Sequence, residues 1–259
     1  MGQPQPPRCA AVRPRHVAIL AFPGVQSLDI TGPLEVFAGA QRLLEDRGRR
    51  ERGYEVRVVS LDAEPLQTTS GLTLTPHATL AQTCAPLDTL IVPGGHGQRV
   101  AGAEPQIVDW IREGSRRARR TASVCTGAFL LARAGLLDGR RATTHWSAAR
   151  ELASMYPGVE VDPEPIFVRN GSVWSSAGVT AGMDLALALV EEDLDPVAAL
   201  AIVRHLVLFL SRPGNQSQFS ATLAAQQPER APLREVHSAW CSSAWPRTTP
   251  SRRWRPART

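Results

Sequence analysis

The sequence predicts an α/β sandwich, in which a mainly parallel sheet is covered by helices on both faces. Three observations lead there. Residues 16–22 (HVAILAF), 54–61 (YEVRVVSL) and 87–92 (LDTLIV) are short runs rich in apolar and β-branched residues, as strands buried on both faces are. Stretches of helical spacing lie between them, and parallel strands need such crossovers. The strands also stop abruptly, at Pro23-Gly24, at Pro93-Gly94-Gly95 and, after 121–124, at Cys125. In open α/β sheets, ligands bind beyond such carboxyl ends.

The remaining elements follow in order. Residues 32–48 have helical spacing, with Leu34, Phe37, Leu43 and Leu44 apolar, Pro33 in the first turn and Gly48 as the stop. Residues 65–76 have β-rich flanks around Ser70-Gly71 and predict a small hairpin. A helix is expected over 104–120, with Ile107, Trp110 and Ile111 inward and its arginines outward. A short strand over 121–124 runs into Cys125, and 126–134 continues as a helix capped by Gly135. Residues 142–145 are strand-like and 146–156 helical. Asn170-Gly171, between 166–168 and 173–175, is a strong hairpin signal. Two mostly apolar helices, 183–190 and 197–210, close the body.

Composition narrows the classes of function. A chain of 259 residues with 43% hydrophobic and 20% charged residues is neither disordered, collagenous nor a disulfide scaffold. Its longest apolar stretches are too short, or too broken by Arg204 and His205, to span a bilayer, so no membrane partner is expected. All 29 basic residues are Arg, and the net charge of +5 comes wholly from 237–259, which holds five Arg and no acid. The body is therefore formally neutral and offers no basic nucleic-acid face. Cys9, Cys84, Cys125 and Cys241 form no CxxC and no metal spacing, and neither Walker nor dinucleotide glycines occur. No metal or cofactor is expected. Arg13 and Arg15 precede an apolar run of about seven residues without a small-residue cleavage site, which reads as a strand rather than a signal peptide. A cytoplasmic protein is the expectation.

The chemistry concentrates at the strand–Cys–helix turn. Ala122, Ser123, Gly127 and Ala128 supply the small neighbours that a nucleophile on a sharp turn needs. A thiol at a helix N-terminus is expected to have a lowered pKa, and the thiolate is the nucleophile. The alternative is a buried cysteine acting as a small hydrophobe. Amides of Gly95 and Thr126 are the candidate oxyanion hole. Asp29, flanked by Leu28 and Ile30, reads first as a helix N-cap and second as a partly buried acid or base. His145 ends a strand-like segment, where it orients or deprotonates the thiol or is simply structural. His96, beside the Pro93-Gly94-Gly95 turn, is a candidate pocket residue; His77 lies in a loop, and His205 reads as structural.

Together these residues resemble the DJ/PfpI superfamily over about 16–222, through HVAILAFPGVQSLDITGPLEVF, TLIVPGG, SVCTGAFLLARAGLLDGRRATTHW and SAGVTAGMDLALALVEE. The resemblance implies a flavodoxin-like sandwich of the class I glutamine-amidotransferase type with a cysteine elbow. It maps the nucleophile onto Cys125, an assisting carboxylate onto Asp29 and a neighbouring hydroxyl onto Thr126. The histidine that follows the cysteine in protease-like members is absent, because Thr126 stands there, so neither proteolysis nor deglycation is expected.

Two subgroups look closest. The first expectation is the ligand-sensing half of a GlxA-type regulator of the AraC family, lacking its helix-turn-helix part. The alternative is a stand-alone isonitrile hydratase, a hydro-lyase with a cysteine nucleophile that converts an isonitrile to an N-substituted formamide. Either way the partner is a small molecule. Residues 1–15 read as a disordered arm, 16–211 as the domain, 212–236 as a connector and 237–259 as a disordered or frame-shifted tail of Arg, Trp and Pro. Such a tail is too short for a helix-turn-helix, so direct DNA binding is not expected. The apolar helix over 197–210 must bury most of its surface, in a homodimer or by docking against the sheet layer.

Overall fold

The computed structural model describes residues 14–49, 53–83 and 86–208. All of these belong to the first of the two units into which the chain divides, Met1–Ser217; the second, Gln218–Thr259, lies outside them. The expected arm, connector and tail therefore fall outside the described residues, apart from the last residues of the arm.

The strands are β1 (Arg15–Leu20), β2 (Tyr54–Ser60), β3 (Leu66–Gln67), β4 (Thr73–Leu74), β5 (Ala78–Thr79), β6 (Thr89–Val92), β7 (Arg120–Val124), β8 (Arg141–Ala142), β9 (Glu160–Val161), β10 (Phe167–Asn170) and β11 (Val173–Ser176). The helices are α1 (Ser27–Asp46), α2 (Gln98–Ala103), α3 (Pro105–Arg117), α4 (Gly127–Arg133), α5 (Ala149–Met155), α6 (Ala181–Asp193) and α7 (Pro196–His205). A seven-stranded sheet has the order β10-β11-β7-β6-β1-β2-β5. Every pairing in it is parallel except that of β10 with β11. Helices α1, α6 and α7 pack together on one face, and α2, α3 and α4 on the other. This is the expected α/β sandwich.

Burial explains why the strand signals were clear. Residues 17–22 and 89–92 are fully buried, since both faces of the sheet are covered. The hairpin expected in 65–76 is β3 with β4, and the Asn170-Gly171 signal joins β10 to β11.

Several boundaries differ. Helix α1 begins at Ser27, five residues before the expected start, and Pro33 lies inside it. Its inward face of Ile30, Pro33, Val36 and Phe37 packs in the core, which outweighs the amide that proline removes. The strand expected at 142–145 shrinks to β8, which pairs with β9 outside the main sheet. Helix α2 was not anticipated. Arg120, expected to point outward from a helix, instead opens β7 and is buried. Its guanidinium meets the buried carboxylate of Asp193, which also accepts the Tyr54 hydroxyl at 2.8 Å. That cluster ties the starts of β2 and β7 to the end of α6, opposite the cysteine.

Helix α7 buries Ala198, Ala199, Ile202 and Val203 against the α1–α6 layer and leaves Val197 and Leu200 exposed. It thus docks on the helices α1 and α6, where one of the two expected arrangements had it against the sheet layer. Among the described residues no helix is long and apolar enough to cross a membrane.

Candidate active site

Strand β7, buried throughout, delivers Cys125 to the carboxyl edge of the sheet, and α4 begins two residues later. Cys125 has φ of +58°, a left-handed conformation that a residue with a Cβ adopts at a cost. The surrounding backbone holds it there. Its amide donates to the Ser176 carbonyl at 3.1 Å, and its carbonyl accepts the buried Thr144 hydroxyl at 2.8 Å. Gly178 closes the back of the elbow, since a Cβ on it would fall 2.1 Å from that of Cys125.

Asp29 is wholly buried in the first turn of α1. It does not cap that helix: the cap position is Gln26, and the Asp29 carboxylate turns inward. Its Oδ2 accepts the Gly94 amide at 2.9 Å and its Oδ1 the Val179 amide at 2.8 Å. The Cys125 thiol lies beside this carboxylate, and each group shifts the other's pKa. The residue thus gathers the ends of β6 and β7 and the segment after β11 around one carboxylate.

Burial raises the pKa of Asp29 to about 6, against the pull of the Gly94 and Val179 amides and of the thiol. The Cys125 thiol is pushed up to about 12, first by burial and then by the negative charge of Asp29. Hydrogen bonds from the Thr126 amide and hydroxyl to the sulfur act in the opposite direction. This corrects the sequence expectation of a lowered thiol pKa: burial and a neighbouring carboxylate outweigh the helix start. With these shifts, neutral pH leaves the proton on sulfur and the carboxylate ionised.

The other candidates fall at varying distance from this pair. Gly95 lies beside it, but its amide donates to Thr126 Oγ1 at 3.0 Å, and the Thr126 amide faces the sulfur. Both expected oxyanion donors are therefore occupied within the site. His145 follows Thr144 and is half-buried; its Nδ1 meets Ser147 Oγ at 2.7 Å, and burial lowers its pKa. Among the described residues, no hydrogen bond joins it to Cys125. His96 is exposed in the loop between Gly95 and α2. Among the described residues no three His, Cys, Asp or Glu side chains gather as a metal site.

Two contributors were not singled out from the sequence. Thr144 was visible only as part of the TTHW segment. Val179 acts through its amide while standing at φ of +52°, and no residue type announces a β-branched side chain in that conformation.

The fold and the elbow now meet the comparisons with known proteins. The DJ-1/PfpI family profile matches residues 15–192. Isonitrile hydratase of Pseudomonas putida is 39% identical over 177 residues, covering 68% of this chain and 71% of that protein. The transcriptional regulator CdhR of Pseudomonas aeruginosa is 32% identical over 202 residues, which are 77% of this chain and 56% of the regulator. The chain thus spans little more than half of the regulator's length. Among solved structures, a THiJ/PfpI family protein from Pseudomonas syringae superposes with a TM-score of 0.67 at 28% identity, covering 93% of this chain and 91% of that one. The sequence motifs, the sheet and the cysteine elbow agree with the profile, and the chain belongs to the DJ-1/PfpI family.

Proposed function

We propose that this chain is a cysteine-dependent hydratase that adds water to an isonitrile and releases an N-substituted formamide. The observation that carries the proposal is the buried Asp29–Cys125 pair, a thiol set beside a carboxyl group whose pKa lies near 6. Similarity to isonitrile hydratase, reaching over more of that protein than the similarity to CdhR does of the regulator, supports the enzyme over the sensor reading that the sequence put first.

In the first half-reaction the Cys125 sulfur bonds to the terminal carbon of the isonitrile. The thiol proton passes to Asp29 and from it to that carbon, giving a thioimidate with a C–H bond. In the second, Asp29 takes a proton from water as the oxygen attacks the same carbon. The C–S bond breaks, the proton returns to sulfur, and the released hydroxyimine tautomerises to the formamide. The sum is isonitrile plus water, with no oxidant or further reactant. Thr126, hydrogen-bonded to the sulfur, stabilises negative charge there in both halves. Gly95 donates to developing charge on the substrate once its amide leaves the Thr126 hydroxyl.

The test is to incubate the protein with n-butyl isonitrile and follow N-butylformamide by proton NMR. Turnover by the native protein and its loss in Cys125→Ala support the proposal. Turnover retained in Cys125→Ala refutes it. The second reading, a ligand-sensing domain, draws on the similarity to CdhR. It requires saturable binding of a small molecule at Cys125 with no turnover.

A further inference from the structure

The carboxyl ends of β1 and β2 open on a cavity that the cysteine chemistry does not use. It encloses about 430 Å³, in the range of small-molecule sites. None of Asp29, Gly94, Cys125 or Thr126 lines it. The turn after β1 forms the wall on that side: Gly97 lies so close to it that a Cβ would fall 1.8 Å from the Pro23 carbonyl oxygen.

The lining divides by depth. Phe22, Leu66, Ala101 and Ile107 form a buried apolar floor. Ser60 stands among them, 3% exposed, and no described residue hydrogen-bonds its hydroxyl. The rim carries Asp62, Glu64 and Glu104, all exposed, and neither Arg nor His lines the cavity. Among the described residues no ion pair engages these three carboxylates, and the arginine of α2, Arg99, is held by Glu151. The mouth therefore carries negative charge with no cationic side chain in its lining, which disfavours an anion. A neutral apolar molecule would leave Ser60 and the rim unused.

We infer that this cavity is a second binding site, for a small organic cation with an apolar body, such as an aryl or short alkyl ammonium. The body lies on the floor beside Ser60, and the ammonium stands at the rim among Asp62, Glu64 and Glu104. The assignment is independent of the chemistry at Cys125.

Calorimetric titration of the full chain with benzylammonium, and separately with benzoate, tests it. The expected result is one saturable benzylammonium site, weakened by added salt, with no benzoate binding. The triple variant Asp62→Asn, Glu64→Gln, Glu104→Gln should weaken binding about tenfold or more, a change of about 1.4 kcal/mol. All three side chains are exposed, and circular dichroism verifies that the variant folds. Cys125→Ala should bind as the native protein does, which separates this site from the proposed hydratase. Absence of benzylammonium binding at millimolar concentration, equal binding of benzoate, indifference to the triple variant, or loss in Cys125→Ala would each overturn the inference.

Discussion

The Val179 amide donates to Asp29 Oδ1 at 2.8 Å across 150 positions of sequence. Val179 and Cys125 are both held in the left-handed region, the one hydrogen-bonded to this carboxylate through its amide and the other with its thiol beside it. Each such conformation costs about 1–3 kcal/mol and persists only where its surroundings over-determine it. The carboxylate therefore has a structural duty, because it helps fix the two segments that shape the elbow.

The burial of this carboxylate has a signature in stability. The native pKa of Asp29 is raised from 3.8 to about 6, so between these values the folded protein binds more protons than the unfolded chain. Its contribution to stability is then highest below pH 4, falls as pH rises to about 6, and is flat above. The loss is on the order of 3 kcal/mol. Urea unfolding of the native protein and of Asp29→Asn across pH 4–7 measures it. The difference between the two should change across pH 4–6 and level off beyond.

Activity runs the other way. A base must be ionised, so kcat/KM for n-butyl isonitrile should rise with pH through an apparent pKa near 6 and then plateau. That value belongs to the Asp29–Cys125 pair rather than to either residue alone. Asp29→Asn should lower kcat/KM by about 100-fold or more. Stopped-flow rates from pH 4.5 to 8 report both effects.

Gly178 tolerates nothing larger. It combines φ of +91° with a space already filled by Cys125, whose Cα would lie 2.4 Å from an added Cβ. Gly178→Ala should cost more than about 3 kcal/mol, through overpacking and backbone strain together. Thermal and urea unfolding measure the loss.

Thr144 supports the elbow from the opposite side. Removing its hydroxyl leaves the buried Cys125 carbonyl without that donor. Thr144→Val should cost about 1–3 kcal/mol, whereas Thr144→Ser keeps the bond and most of the stability. Chemical unfolding of the two variants distinguishes the lost hydrogen bond from a change of packing.

Sequence alone revealed the parts of this protein that depend on local pattern. Strands β1, β6 and β7 are legible because burial on both faces demands continuous apolar runs, and the elbow because small residues crowd Cys125. The start of α1 was misplaced because proline usually stands in a first turn, whereas Pro33 is packed inside the helix. Asp29 illustrates the wider limit. Its residue type and position suit a cap, and only the approach of Gly94 and Val179 from distant segments makes it a buried, hydrogen-bonded carboxylate. The pKa of Cys125 departs from the expectation for the same reason: the fold buries the thiol, and a neighbouring negative charge arrives from α1 rather than from its own helix. Arg120 and Asp193 likewise find each other only through the fold.

The central claim is that Cys125 bonds covalently to substrate while Asp29 carries the proton. Intact-protein mass spectrometry after rapid acid quenching with n-butyl isonitrile addresses it most directly. The account predicts an adduct of one isonitrile mass, mapped to Cys125, absent from Cys125→Ala and formed far more slowly in Asp29→Asn. Formamide production with no adduct on Cys125, or an adduct forming at the native rate in Asp29→Asn, would contradict it.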